Sequence, residues 1–457
     1  MPQGPARFHL DWSLIEKYDR PVPRYTSYPT ALQFKEVDDP GPFLSDCAEP
    51  GAPLSLYFHL PFCESLCWFC ACAKEITKDT TKADRYLDAL ERELELFKPH
   101  LGPERVVEQI HYGGGSPSFL TPAQLRRAGA LWRERFRVAD DAEVSVEIDP
   151  RTLDEAKVEA FRETGFHRAS FGVQDVDPAV QEAIHRIQPS AMNRRAIGWL
   201  RQAGFRSLNV DLIYGLPRQS VQSFERTLDE VLDYAPDRFA IFSYAHVPWV
   251  APAQRILERA TLPSPREKLA MLERIIERLT GAGYRYIGMD HFAREDDELS
   301  RAQRDGTLHR NFQGYSTRAG REIAGFGMSA ISQTKGTFRQ NEKSLDSYYA
   351  ALEAGRLPII RGYELTPEDQ LRRATIMEIM CHGRLDYAAM SERLGIHFPE
   401  HFAAELASLA PLEEDGLIER KDGCLEVKAP GWLLLRNVAM HFDAYLQTGE
   451  RRHAKTI

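Results

Sequence analysis

From position 54 onward, short apolar runs alternate with longer stretches in which apolar side chains recur every three or four positions. The short runs predict strands over 54–60, 106–112, 143–148, 168–172, 207–213 and 238–242. The periodic stretches predict helices over 82–97, 122–136, 154–164, 192–203 and 221–234. Strands and helices alternating in this way specify βαβ units and a parallel sheet, so the fold class is α/β. Six such units make an open, partial (β/α)6 barrel rather than a closed one of eight. Near residue 362 the pattern turns mainly helical, over 367–382, 387–394 and 402–410. A hairpin-like pair at 416–419 and 423–427 and a closing helix over 430–446 give this region a winged-helix-like look. The chain therefore divides into an arm and lead-in (1–50), a barrel with its extension (51–361) and a C-terminal, mainly helical domain (362–457) that reads as a cover.

In barrels of parallel strands, reactive groups sit on the loops that follow the strands. Here the first strand leads into Cys63-x-x-x-Cys67-x-x-Cys70, the second into Gly113-Gly114-Gly115-Ser116-Pro117, and the third ends in Glu147-Ile148-Asp149-Pro150. The fourth is followed by Gly172-Val173-Gln174-Asp175, Asp211 lies within the fifth, and Tyr244-Ala245-His246 follows the sixth. Three closely spaced thiolates suit a [4Fe–4S] cube, whose fourth iron they leave open to a small chelating molecule. Structural zinc is the competing reading, with Cys72 as a fourth thiolate, but zinc favours paired Cys/His knuckles and the spacing here is not of that kind. The triple glycine lets backbone amides approach a ligand closely. Glu147 and Asp211 come from strand ends with apolar neighbours, where a carboxylate needs a partner: a ligand's hydroxyls or amine, or an internal ion pair with Arg168 or Arg186. Gln174 and Arg186 either cap a local turn or, since a cationic side chain near a barrel rim suits it, meet a cofactor carboxylate.

Composition narrows the class. The 457 residues suffice for one large domain and a smaller one, and no apolar stretch is long enough to span a bilayer. A net charge of −9 and a pI near 5.9 argue against nucleic acid as a partner, and the basic pairs Arg126-Arg127 and Arg451-Arg452 read as solvated. Residues 1–11 lack the basic-then-apolar layout of a secretory signal. Four of the seven cysteines fall within ten residues, which is no disulfide framework and fits a reducing, cytoplasmic setting. No long apolar stripe is left over, so a monomer is expected.

The cysteine spacing resembles the signature of the radical S-adenosylmethionine (SAM) superfamily, and the triple glycine resembles its motif for the methionyl amine. Trp68 and Phe69 would then cover the cluster and offer adenine a stacking face. A larger set of runs resembles the oxygen-independent coproporphyrinogen III oxidases over nearly the whole chain. These are Arg24-Tyr25-Thr26-Ser27-Tyr28-Pro29-Thr30, Tyr57-Phe58-His59-Leu60-Pro61-Phe62-Cys63, Asp211-Leu212-Ile213-Tyr214-Gly215-Leu216-Pro217, Met289-Asp290-His291-Phe292-Ala293 and Leu308-His309-Arg310-Asn311-Phe312-Gln313-Gly314-Tyr315. The resemblance implies radical oxidative decarboxylation of two propionates of coproporphyrinogen III to vinyls, giving protoporphyrinogen IX in haem synthesis, with an unidentified electron donor. It also implies cluster ligands Cys63, Cys67 and Cys70 and two SAM molecules. Tyr57, Gly114, Glu147 and Ile331 would serve the cluster-bound SAM; Phe69, Gly115, Ser116, Gln174, Arg186, Asp211 and Ala245 would serve the second.

Four substrate carboxylates call for cationic and donor groups, and Arg24, Tyr25, His309, Arg310 and Gln313 supply them, with the arm over 24–30 acting as a lid. The chain departs from the family's Cys-Gly-Cys-Asn by reading Cys70-Ala71-Cys72-Ala73, which adds a methyl and removes an amide. The rival reading is a haem-binding chaperone of the same superfamily without decarboxylase activity; such proteins generally lack the arm and the fourth cysteine, both present here.

Overall fold

The computed structural model describes residues 12–48, 52–102 and 104–446, so the stretch 1–11 and the Arg451-Arg452 pair lie outside the described residues. Six parallel strands form as the pattern requires: β1 (Leu54–Leu60), β2 (Val106–Gly114), β3 (Arg137–Ile148), β4 (Arg168–Gln174), β5 (Ser207–Tyr214) and β6 (Arg238–Ser243). They pair side by side in chain order. Between them run α1 (Lys82–Phe97), α2 (Pro122–Arg133), α3 (Glu155–Glu163), α4 (Ser190–Gln202) and α5 (Val221–Leu232). Local chemistry fixes the starts. At α2, Thr121 accepts from the Gln124 amide (3.3 Å), the Gln124 side chain accepts from the Thr121 amide (3.0 Å), and Pro122 occupies the first helical position.

Strand residues alternate between two environments. Ile110, Tyr112, Val144, Val146, Phe171 and Val210 are buried in the layer between the sheet and the helices. The intervening positions, among them His111, Ser145, Glu147, Ser170, Asn209 and Asp211, face a cavity of about 500 Å³ inside the curve of the sheet. Packing thus goes to one face and chemistry to the other.

The sheet is wider than six strands. After α6 (Pro265–Gly281), β7 (Tyr284–Gly288) and β8 (His291–Arg294) form an antiparallel pair, and β8 joins β6. At the other edge β9 (Glu322–Phe326) runs parallel to β1, followed outward by β10 (Ile331–Gln333), β11 (Thr337–Asn341), β12 (Ile359–Glu364) and the two-residue strand Lys35–Glu36. These added strands are short and mostly antiparallel, and too brief for a period of two to stand out in the sequence. β12 crosses position 362, so the sheet carries the chain past the expected start of the helical region.

Beyond it, α7 (Pro367–His382) and the helix Tyr387–Leu394 form where expected. The stretch 402–410 breaks instead into Ala403–Ser408 and Ala410–Glu414, with Pro411 in the first turn of the latter. The hairpin pair, Ile418–Lys421 with Cys424–Val427, is joined by a third strand, Arg384–Asp386. The expected helix over 430–446 is replaced by 3-10 turns around a single α segment, Leu435–Ala439. Gly431 approaches a neighbouring turn closely there, since a Cβ would stand 2.2 Å from the Leu417 carbonyl oxygen.

The N-terminal arm is not a lid. Tyr18, Val22, Tyr25 and Tyr28 are buried in the core of the C-terminal region beside Ile376, Ile379, Phe402 and Phe442. Tyr25 Oη donates to Asp443 Oδ2 (3.0 Å), Asn437 Nδ2 to the Tyr18 carbonyl (2.7 Å), and the Ala444 amide to Tyr28 Oη (3.1 Å). It is a strap whose side chains belong to that core. Tyr28→Ala removes a ring with 0 % exposure and the acceptor of the Ala444 amide. It is expected to destabilise the protein by about 3–5 kcal/mol, read as a lower urea midpoint. A midpoint matching the unsubstituted protein would refute the strap.

Candidate functional site

The loop after β1 carries Cys63, Cys67 and Cys70 to the mouth of the cavity, which all three line. Its course is set by backbone bonds: the Glu75 amide to Pro61 O (2.8 Å), the Thr77 amide to Cys63 O (2.9 Å) and the Trp68 amide to Ile184 O (3.1 Å). The Cys67 sulfur lies 3.3 Å from Arg151 Nη2 and 3.4 Å from Arg186 Nη1. Both guanidiniums hold Asp149, at 2.6 and 3.2 Å, and its carboxyl falls to about 2: burial would raise it, and the two arginines outweigh burial. Burial and the neighbouring Cys70, Asp149 and Cys67 push the Cys63 thiol up to about 12. Cys72 hydrogen-bonds to Cys70 and so lowers it. Thiols this close destabilise one another as anions until a cation binds between them.

Three sulfurs on one concave wall, with guanidinium N–H groups behind them, fit an iron–sulfur cube carrying net negative charge. At the two positions that depart from the family pattern, Ala71 is exposed, whereas Ala73 is half-buried against the core and its carbonyl accepts from His59 Nε2 (2.9 Å).

The glycine turn after β2 works by close approach. A Cβ on Gly113 would lie 2.9 Å from Glu147 Cδ, and one on Gly115 2.5 Å from the Pro61 carbonyl carbon. The Gly114 amide donates to Glu147 Oε2 (3.2 Å) and the Gly115 amide to Leu60 O (2.8 Å). Burial raises the Glu147 carboxyl, but bonds from His111 and Gly114 hold it below its usual range. Asp211 accepts from Ser170 Oγ (2.8 Å) and Asn209 Nδ2 (2.7 Å) rather than pairing with Arg168 or Arg186. Its burial pushes it up to about 7, with Ser170 opposing.

Phe69, Gly114, Gly115, Glu147, Gln174, Arg186 and Asp211 meet the three cysteines around one cavity, and Gln313 joins them. Gln174, at φ 70°, closes a bulge in which Gly172 leaves room for its side chain and for Arg186. Other expected residues stand off the wall. Tyr57 stacks beside His111 (6.0 Å between rings), Ser116 is buried and bonds Ser118, and Ile331 pairs with Gln340 at the start of β10. Ala245 lines a second cavity of about 370 Å³ together with Arg24, whose guanidinium is paired with Asp290. Tyr25 is held in the C-terminal core and His309 is half-buried in a hairpin (His309–Asn311 with Gly314–Ser316). Arg310 is buried over the Tyr315 ring (4.7 Å), with Nε and Nη1 unpartnered.

The sequence reading missed Arg151, His111, Ser145, Ser170 and Asn209. For the last four the signal was available: parallel strands are normally apolar on both faces, and here Gln109 and His111, Glu143, Ser145 and Glu147, Arg168 and Ser170, and Ser207, Asn209 and Asp211 alternate with apolar residues along β2–β5.

Residues 57–231 match the family model of the radical SAM superfamily, and residues 365–434 match that of the HemN C-terminal domain. Oxygen-independent coproporphyrinogen III oxidases of Salmonella typhimurium and Escherichia coli are each 46% identical to the chain over 445 residues, 97% of both chains in each comparison. That of Pseudomonas aeruginosa is 45% identical over 454 residues, 98% of each. A solved structure of coproporphyrinogen III oxidase (HemN) from Escherichia coli, described as a radical SAM enzyme, superposes with a TM-score of 0.91 at 44% identity, covering 96% of this chain and all of that one.

Two outcomes are expected. Cys67→Ser abolishes cluster assembly, measured as iron per chain after anaerobic reconstitution; unchanged iron content would sink the three-thiolate assignment. A free aspartate titrates near 3.9, so between about pH 4 and the folded value of about 7 the folded state holds a proton that the unfolded chain has lost. Asp211 therefore lowers stability as pH rises through that window. Melting curves of cluster-free protein should show Asp211→Asn gaining on the unsubstituted protein from pH 4 to 7 and level thereafter; a constant offset would contradict this.

Proposed function

The chain belongs to the oxygen-independent coproporphyrinogen III oxidase family of the radical SAM superfamily, and from that premise we propose how its residues divide the work. The enzyme is an oxidoreductase of haem biosynthesis that uses a [4Fe–4S] cluster and SAM and turns two propionates of coproporphyrinogen III into the vinyls of protoporphyrinogen IX. When bound, these cofactors would supply abstraction of a hydrogen atom from a propionate β-carbon; loss of carbon dioxide, with one electron passed to an external acceptor, would then leave the vinyl. The whole-chain match to proteins bearing the oxidase name favours this reading over the haem chaperone.

In this reading Cys63, Cys67 and Cys70 hold the cluster, while Arg151 and Arg186 balance its charge. Tyr57, Gly114, Glu147 and Ile331 serve the SAM at the open iron. Phe69, Gly115, Ser116, Gln174, Arg186, Asp211 and Ala245 serve a second SAM. The observation that carries the division is convergence: seven of these eleven cofactor residues share one cavity wall with the three thiols, although they come from five successive strand ends. The unpartnered N–H groups of Arg310 and Gln313 suit substrate carboxylates, with Gln313 on the wall and Arg310 behind Tyr315. Arg24, Tyr25 and His309 do not line this cavity: Arg24 is paired with Asp290, Tyr25 with Asp443, and His309 lies in the hairpin beside it. Phe69, Phe242 and Tyr315 line the wall as well and help exclude water. One chain supplies every group named, which supports a working monomer; the reductant must come from outside it.

An anaerobic assay with SAM, a chemical reductant and coproporphyrinogen III tests the reading. Both 5′-deoxyadenosine and vinyl product are expected. Deoxyadenosine without vinyl would overturn the substrate assignment, and tight stoichiometric haem binding without vinyl would restore the chaperone.

A further inference from the structure

His111 sits on β2, between the strand of Tyr57 and the strand of Glu147. Parallel pairing sets Tyr57 opposite His111 and His111 opposite Ser145, with Glu147 two residues further along β3. The imidazole touches all three neighbours. Its ring stacks on Tyr57 at 6.0 Å and 16°, Nδ1 lies 2.7 Å from Ser145 Oγ, and Nε2 lies 3.4 Å from Glu147 Oε1. The side chain is 17 % exposed, so water has little room to replace these contacts.

The hydrogen-bond pattern selects a tautomer. A carboxylate oxygen only accepts, so Nε2 must carry the proton that faces Glu147, and Nδ1 then accepts from the Ser145 hydroxyl. The opposite arrangement, with Ser145 donating to Ile110 O at 3.3 Å, would set an imidazole lone pair against the carboxylate. The other side of Glu147 is fixed independently: Oε2 takes the Gly114 amide, and the carboxylate lies against the bare backbone of Gly113. Remove the imidazole and Oε1 loses its only hydrogen-bond donor among the described residues, so the carboxylate is held at one oxygen instead of two.

We infer that His111 is a positioning residue that sets Glu147 and Tyr57 in one fixed relation, Ser145 holding the imidazole in the tautomer that does so. The inference rests on the proposed assignment of Tyr57 and Glu147 to the SAM at the open iron. A carboxylate held at two points presents the same lone pairs to a ligand's hydroxyls or amine each time, and its orientation is settled before the ligand arrives.

Equilibrium dialysis of reconstituted protein against SAM, with iron per chain measured alongside, tests this without turnover. Phenylalanine keeps a ring for Tyr57 but no donor for Glu147. His111→Phe is expected to keep its iron and bind SAM on the order of tenfold more weakly. His111→Gln restores a donor and should recover most of that loss. Ser145→Ala, which leaves both His111 and Glu147 in place, should weaken binding two- to fourfold, roughly. The double variant His111→Phe with Glu147→Gln should bind no worse than Glu147→Gln alone, because both act through one carboxylate. Unchanged SAM affinity in His111→Phe, or additive losses in the double variant, would overturn the inference. If His111→Phe fails to take up iron, Ser145→Ala decides, and unchanged affinity there overturns it. Unchanged affinity in Glu147→Gln alone would instead condemn the underlying SAM assignment, and is distinguishable for that reason.

Discussion

Hydrogen bonding between parallel strands sets Tyr57, His111, Ser145, Arg168 and Ser207 in one row across β1–β5, and the site depends on that row. A second row, Glu147, Ser170, Asn209 and Arg238, runs beside it. Residues far apart in sequence become lateral neighbours because strand register leaves them nowhere else to be. The register is itself enforced by the opposite face, where Ile110, Val144, Val146 and Phe171 must meet the helices. A slip of one residue in any strand would turn its apolar set into the cavity and its polar set into the core.

A polar interior is tolerable only where partners are present. At the lower end of the barrel the charges close on one another: Arg168 meets Glu143 (3.3 Å) and Glu298 (2.6 Å), and Arg238 meets Glu298 (2.8 Å) and Asp297 (2.9 Å). Higher up, Asp149, Arg151 and Arg186 form a comparable set with the Cys67 sulfur as its fourth member. Among the described residues, buried donors without a hydrogen-bond partner remain in each part of this wall: Arg168 Nε at the lower end, Arg186 Nε beside the cysteines, and Gln313 Nε2 near the hairpin, with Arg310 Nε and Nη1 behind it.

The six parallel strands and their helices were legible because burial imposes a period on the sequence, and β1 and α1 fall on their expected boundaries. The cysteines, the glycine turn and the two carboxylates were legible because few residue types perform their chemistry. What stayed hidden needed the third dimension. Arg151 reads as a surface arginine until Pro150 turns the chain and brings it to Cys67. β7–β12 are too short to show a period, and Tyr25 looked like a ligand group because an aromatic with a hydroxyl is equally suited to a core. The broken closing segment follows from contact between Gly431 and a carbonyl on a different element, which no local pattern records.

The strap joins distant segments of the chain, since Tyr25 and Asp443 are separated by 418 positions. During synthesis the ribosome delivers the arm first and its binding partners last. While the barrel strands are being made, the cysteine loop therefore sits in a chain whose N-terminal segment has nothing to pack against. Completion of the barrel region and docking of the arm are separate events in time, the second waiting on synthesis of the residues around 376–443 that form the arm's core.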